Sequence, residues 1–178
     1  MKLSTFSACA AACSALLLAP ALASAEGIND AQIAAIVVTA NQVDIDAGKL
    51  AAATTANAEV KKFAELMVTD HTGVNKAAVE LVTRLGVTPQ DNPTAQSLKA
   101  GGETNVAALK QARGAAFDKA YVDHEVAYHQ QVLDAIDKTL IPSAQNAELK
   151  SLLVSVRPAF VAHLEHAKML QSTLAKKS

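Results

Sequence analysis

Four long stretches of this sequence repeat apolar residues every three or four positions, and that period commits each of them to one face of an α-helix. From Asn29 to about Thr54 the stripe is Ile33, Ile36, Val37, Ala40, Val43, Ala47, Leu50 and Ala51, with Asn29 or Asp30 as the N-cap. A second stripe, opened by Asn57, runs Val60, Ala64, Met67, Val74, Ala78, Leu81 and Leu85, and Gly86 and Pro89 stop it. The third, from about Ala115 to Leu140, carries Val122, Val126, Val132, Leu133 and Ile136 and ends at Pro142. The fourth begins near Ala144 with Leu149, Leu152, Val156, Phe160, Ala167, Leu170 and Leu174. Pro158 falls inside it, where it removes one hydrogen bond or bends the axis.

The connections choose among helical topologies. About three residues join the first pair of stripes and a handful join the last, so each pair reads as an antiparallel hairpin. Residues 87–114, interrupted by Pro89, Pro93 and Gly101-Gly102, are long enough to run back along the hairpins and are expected as short helical pieces. The predicted fold is therefore all-α: a ferritin-like four-helix bundle, two antiparallel hairpins joined by a long crossover. With 7 Gly, 5 Pro and 3% aromatic residues, the composition speaks against a β-sandwich or barrel.

The segment before the first stripe reads as an address. Lys2, the apolar run from Ala8 to Ala21 and the small residues Ala23-Ser24-Ala25 predict a signal peptide over residues 1–25, cleaved before Glu26. Residues 26–178 are then expected as a single helical domain in the periplasm or outside the cell. Cys9 and Cys13 leave with the leader, so no thiolate ligand, Cys nucleophile or disulfide is expected afterwards. No later run reaches eighteen uninterrupted apolar residues, which predicts no membrane span. Sixteen Lys+Arg balance seventeen Asp+Glu without a block of like charge, which argues against nucleic acid as a partner. A second copy of the chain or an envelope protein remain as partner classes.

Polar residues interrupt the apolar faces. At 100° per residue, Asp44 falls among Ala40, Ala47 and Ala51, and His71 among Met67, Val74 and Ala78. His129 is centred between Val126 and Leu133, with Glu125 one turn earlier, and His163 lies among Val156, Ala167 and Leu170, with His166 at that face's margin. His124 points away on this projection. An ionisable group buried without a partner is too costly to persist, so these side chains must satisfy one another or a ligand. Converging imidazoles and carboxylates in a helical interior are a way to hold a divalent metal. The i,i+4 pair Glu125/His129 and the i,i+3 pair His163/His166 both suit joint ligation.

A plainer pairing competes: Asp44 with His71 across the first hairpin, and Glu125 with His163 across the second. Counted from their turns, Asp44 and His71 differ by about four residues, roughly 6 Å at 1.5 Å per residue. On the same count His129 lies about five residues from the level of Glu125 and His163, so a single compact shell is not expected. Asp70 projects about 100° from His71 and reads as a supporting or solvated group, and Tyr121 as core.

The run Phe63-Ala64-Glu65-Leu66-Met67-Val68-Thr69-Asp70-His71 resembles a block of the bacterial exported family called domain of unknown function 4142. Phe117-Asp118 with Tyr121 and His129, Pro158 with His163-Leu164 and Ala167, and Asp44-Ile45-Asp46 with Lys49-Leu50-Ala51 resemble three more, in the same order. The resemblance implies a ferritin-like fold and no established activity. It also marks a departure from the di-iron enzymes and iron stores of the wider superfamily, which carry Glu-x-x-His on two helices. Here Val68, Val126, Phe160 and His163 stand three residues before His71, His129, His163 and His166. A donor set richer in imidazole than carboxylate suits zinc, copper or nickel at least as well as iron.

Two functions follow as expectations. One is metal binding or sequestration without turnover through Asp44, His71, Glu125, His129, His163 and, at the margin, His166. The alternative is a metal-free envelope interaction or stress-related protein whose inner polar residues fix helix packing. No nucleophile constellation speaks for a hydrolase.

Overall fold

Asn29 opens the first helix with both halves of a capping box, its side chain accepting from the Gln32 amide while the Gln32 side chain accepts from the Asn29 amide. The structure, a computed structural model, describes residues 27–176. The signal peptide expected over residues 1–25 lies outside the described residues. From Asn29 onward the chain is helical and has no strand among the described residues: α1 (Asp30–Thr54), α2 (Ala58–Arg84), α3 (Pro93–Leu109), α4 (Gly114–Ala135), a π-helical turn (Ile136–Leu140), α5 (Ile141–Ser143) and α6 (Ala147–Ala175). Asn57, Asn92 and Asn146 cap α2, α3 and α6 in the same way as Asn29, each side-chain oxygen taking orphan amides of the first turn. None of these helices is long and apolar enough to cross a membrane.

Two features of the chain differ from the reading of the sequence. The crossover contains one helix of 17 residues, α3, and Gly101-Gly102 lie inside it without breaking it. Gly102 is there because α3 presses on α1: a Cβ at that position would come within 2.7 Å of Val43 Cγ2. The third stripe does not run as one regular helix to Leu140, since α4 ends at Ala135 and the π turn follows before Pro142. Pro158 does lie inside α6, on its exposed side, where the missing amide bond meets solvent.

Cross-helix contacts fix the directions. Asp44 meets His71 while Gly48 meets Ala64 and Val68, so α2 runs antiparallel to α1. Gln171 bonds Asp123 and Arg157 bonds Asp137, so α6 runs antiparallel to α4. Tyr128 reaches Ala40 and Asp118 reaches Thr55, which sets α4 antiparallel to α1. His163 with Asp70 and Arg84 with Glu148 do the same for α2 and α6.

The apolar interior has two parts. One gathers Ile33, Ile36, Leu133, Ile136, Leu153 and Phe160; the other gathers Phe63, Met67, Phe117, Tyr121, Val122 and Leu170. Asn41 and Asp44 on α1, His71 on α2, and Glu125 and His129 on α4 fall in sequence between the two sets, and His163 on α6 adjoins both. The fold thus holds one polar layer between two apolar ones.

Candidate metal centre

Each of the helices α1, α2, α4 and α6 sends side chains into that layer. Asp44, Glu125, His71, His129 and His163 are all buried, with Glu125 at 0% and Asp44 and His129 at 1% exposure. The α-helical Cα–Cβ bond tilts toward the helix N-terminus. That tilt carries Asp44 away from the α1–α2 turn and His71 toward it, closing the offset of levels expected from residue counting. Asp44 Oδ2 lies 2.8 Å from His71 Nε2 and 3.5 Å from His129 Nε2. Glu125 Oε2 lies 3.4 Å from His129 Nδ1.

The level of His129 needs the larger correction. Because Asp123 sits opposite Gln171 and Asp137 opposite Arg157, His129 stands only about two residues, ~3 Å, from the level of His163. The chain between the two helices is asymmetric, with its π turn, α5 and the non-helical step after Ser143, so distances counted from the turn were misleading. The three imidazoles form a triangle with centroid separations of 5.3 to 5.5 Å. Phe160 stacks on His71 at 5.0 Å and walls one side.

Hydrogen bonds decide which ring nitrogens face inward. Asn41 Nδ2 donates to the Val37 carbonyl at 2.8 Å, so its Oδ1 is the atom 2.7 Å from His71 Nδ1 and that nitrogen is the donor. His129 Nδ1 donates to the Glu125 carbonyl at 3.1 Å, and His163 Nε2 donates to Asp70 Oδ2 at 2.9 Å. Each imidazole is therefore tied on its outer nitrogen. The other nitrogens, His71 Nε2, His129 Nε2 and His163 Nδ1, have no aligned hydrogen bond, nor do the carboxylate oxygens of Asp44 and Glu125. Asp44 Oδ2 nevertheless approaches His71 Nε2 to 2.8 Å, an ion-pair contact when the imidazole is protonated.

One ligand atom from each of His71, His129 and His163 lies within 4.8 Å of the others, and the same holds for Asp44, Glu125 and His129. Around a tetrahedral zinc ion with ligands at about 2.0–2.2 Å, donors lie roughly 3.3–3.6 Å apart, so a separation at the 4.8 Å limit would have to close by somewhat more than about 1 Å to hold the ion. Several buried polar atoms in this one layer lack an aligned hydrogen bond, and their closest contacts, such as Asp44 Oδ2 to His71 Nε2, are to one another. A cation bound there would take up the remaining lone pairs. The residues present fit a divalent ion, and the three outer partners Asn41, Asp70 and the Glu125 carbonyl fix imidazole orientation as second-layer groups do in metal proteins.

The two carboxyls divide the charge unequally. Burial raises the Asp44 carboxyl, but attraction to and a hydrogen bond with His71, then attraction to His129 and a hydrogen bond with Glu125, outweigh it and hold the group below its ordinary value. Burial, and then the neighbouring charge of Asp44, push Glu125 well above its ordinary value. Burial also lowers His163, against the opposing pull of Asp70. Of the two carboxyls, Asp44 is the one that gives up its proton more readily and Glu125 the one that keeps it.

A cavity of about 600 Å³ reaches this layer. Asp44, His71 and His129 form part of its wall, whereas Glu125 and His163 do not line it. Ile36, Val37, Ile136, Leu153 and Val156 make much of the remainder, and exposed Ser97 and Gly101 on α3, with Gln131 on α4 and Thr139 beyond it, stand at the rim.

Sequence reasoning placed Asp44, His71, Glu125, His129 and His163 on inward faces, and all five are inward. The expected pairing of Glu125 with His163 does not form: His163 pairs with Asp70, and Glu125 stands with Asp44 and His129. His166 is not brought in, its ring meeting the edge of Phe63 at 5.0 Å. His124 does not point away to solvent. It is half-buried, stacks on Tyr128 at 5.5 Å, and lines the cavity, because α3 covers a side of the helices that the projection treated as exterior. Asn41 and Tyr128 were not singled out from the sequence. Asn41 stands one turn before Asp44 on the same face, a spacing that could have flagged it. The Tyr121 hydroxyl is buried without a partner, and burial, then Glu125 and Asp44, raise its pKa.

The family model described as Domain of unknown function (DUF4142) matches residues 17–170. No curated protein matches the chain, and no solved structure does.

Proposed function

The chain thus belongs to the DUF4142 family, whose name assigns no activity, and from the site itself we propose that it binds one divalent transition metal in the polar layer, for sequestration or sensing rather than turnover. His71, His129 and His163 would supply nitrogens, and Asp44 and Glu125 oxygens. The observation that carries this reading is the tautomer pattern. All three imidazoles are tied outward, leaving His71 Nε2, His129 Nε2 and His163 Nδ1 to converge beside the carboxyls of Asp44 and Glu125. Imidazole-rich donors favour zinc, copper, nickel or iron over magnesium or calcium. Glu-x-x-His is absent from the helices that carry the histidines, so di-iron oxidation is not part of the proposal.

Two further parts of the proposal are architectural and cellular. The antiparallel order of α1, α2, α4 and α6, with the α2-to-α4 connection running back through α3, supports a ferritin-like four-helix bundle. The charged start, apolar run and small-residue site of residues 1–25 support export to the periplasm or beyond.

The test is to purify the mature protein without a His-tag and measure bound metal by mass spectrometry, beside the double variant His71→Ala, His163→Ala. Near-stoichiometric metal in the parent and none in the variant is expected. Equal content in both sinks the reading. The close approach of Asp44 to His71 favours a second one, a metal-free envelope protein whose polar layer only fixes helix register. In that case a paired replacement, Asp44→Leu with His71→Leu, raises the melting temperature and leaves the cellular role intact.

A further inference from the structure

The cavity beside the polar layer is larger than a metal site needs. Its volume of about 600 Å³ lies in the range of sites for small organic molecules, roughly 300–1,000 Å³. Its inner wall carries three of the candidate ligands, with His71 Nε2, His129 Nε2 and the Asp44 oxygens, while Glu125 and His163 complete the donor set from outside the cavity. An ion held by either triad, His71/His129/His163 or Asp44/Glu125/His129, would have ligands on the cavity wall.

The rest of the lining selects the occupant. Most of it is aliphatic, and neither Lys nor Arg contributes to it. A negatively charged head group would therefore find its counter-charge only in the metal. Without the metal, the buried Asp44 carboxylate on the same wall would repel it.

We propose that the cavity binds an aliphatic monocarboxylate, its carboxylate on the open face of the metal and its chain against Ile36, Val37, Ile136 and Leu153. The mouth is the rim between α3 and the α4 side, where Ser97 and Gly101 stand opposite Gln131 and Thr139. The proposal rests on the metal reading above and adds a ligand class to it.

The experiment uses the full mature chain loaded with Co²⁺, whose visible spectrum reports its ligands, and decanoate as the probe. Calorimetry should show decanoate binding to the loaded protein at least tenfold tighter than to the metal-free protein, with a change in the cobalt spectrum on saturation. Across acetate, hexanoate, octanoate and decanoate the affinity should climb by up to roughly fourfold per methylene, the gain from burying one CH₂. Ala135→Phe, which fills the cavity away from the five ligands, should weaken decanoate at least tenfold and leave the cobalt spectrum without decanoate unchanged. Equal decanoate binding with and without metal, no spectral change, no chain-length dependence, or no binding to the cobalt protein each overturns the proposal. Failure to take up cobalt, zinc or copper at all overturns the metal reading itself, and is seen before any decanoate is added.

Discussion

Asn41 Oδ1 and His71 Nδ1 lie 2.7 Å apart in the buried layer, and this one hydrogen bond decides that His71 turns Nε2, not Nδ1, toward Asp44. Asn41 is held in turn by the Val37 carbonyl, so the orientation is fixed from the backbone of α1 outward. Asn41→Ala leaves all five candidate ligands in place but releases the ring. Metal affinity is expected to fall 10- to 100-fold, as for other outer partners of ligating histidines. Competition with a chelating indicator measures it, and an unchanged affinity would show that packing against Phe160 alone orients the ring.

His129 belongs to both donor groups, whereas His166 belongs to neither. His129→Ala should therefore abolish metal binding, Asp44→Ala should weaken the same event, and His166→Ala should leave affinity within twofold of the parent. Titration calorimetry of the three variants reads this directly. Comparable losses in all three would mean that the effect is general destabilisation.

Glu125 gives the pH dependence. Its pKa in the folded chain is raised above the ordinary 4.5 by burial and by Asp44. The folded state then holds a proton that the unfolded chain gives up, so this contribution to stability is complete below about 4.5 and is lost as pH rises toward the folded value. Glu125→Gln keeps the shape and removes the titration. Measured metal-free, its melting temperature should exceed the parent's by a margin that widens as pH rises from 4.5. Metal binding must expel the same proton, so calorimetry in buffers of different ionisation enthalpy should show proton release in the parent and less in the variant.

Neighbouring glycines of α3 should respond in opposite directions. Gly102→Ala places a methyl group 2.7 Å from Val43 Cγ2 and should destabilise by about 1–3 kcal/mol. Gly101→Ala meets nothing within 4 Å and removes a flexible residue from a helix interior, gaining about 0.5–1 kcal/mol. Thermal melts of the two variants distinguish a helix pressed onto α1 from one that merely lies across it.

The helices and the five inward residues were legible because the 3.6-residue period reports which way a side chain points. The period carries no information on level. Counting from the turns placed His129 away from His163, since nothing in residues 136–143 announces a π turn. His124 was misplaced for a related reason: α3 was read as broken pieces at Gly101-Gly102, and a helix that is not foreseen cannot be credited with covering anything. Asn41 escaped because an uncharged amide carries none of the cost that drew notice to the charged groups.

Residues 27–176 contain no cysteine, so no covalent bridge joins these helices to one another. Candidate ligands from α1, α2, α4 and α6 would turn a single ion into that bridge, one that a chelator cuts and free metal restores. At a hundred times its dissociation constant such an ion adds about 2.7 kcal/mol to folding. The lifetime of the fold would then track the metal supply around it, and protease resistance across a series of buffered metal concentrations would trace the same curve as occupancy.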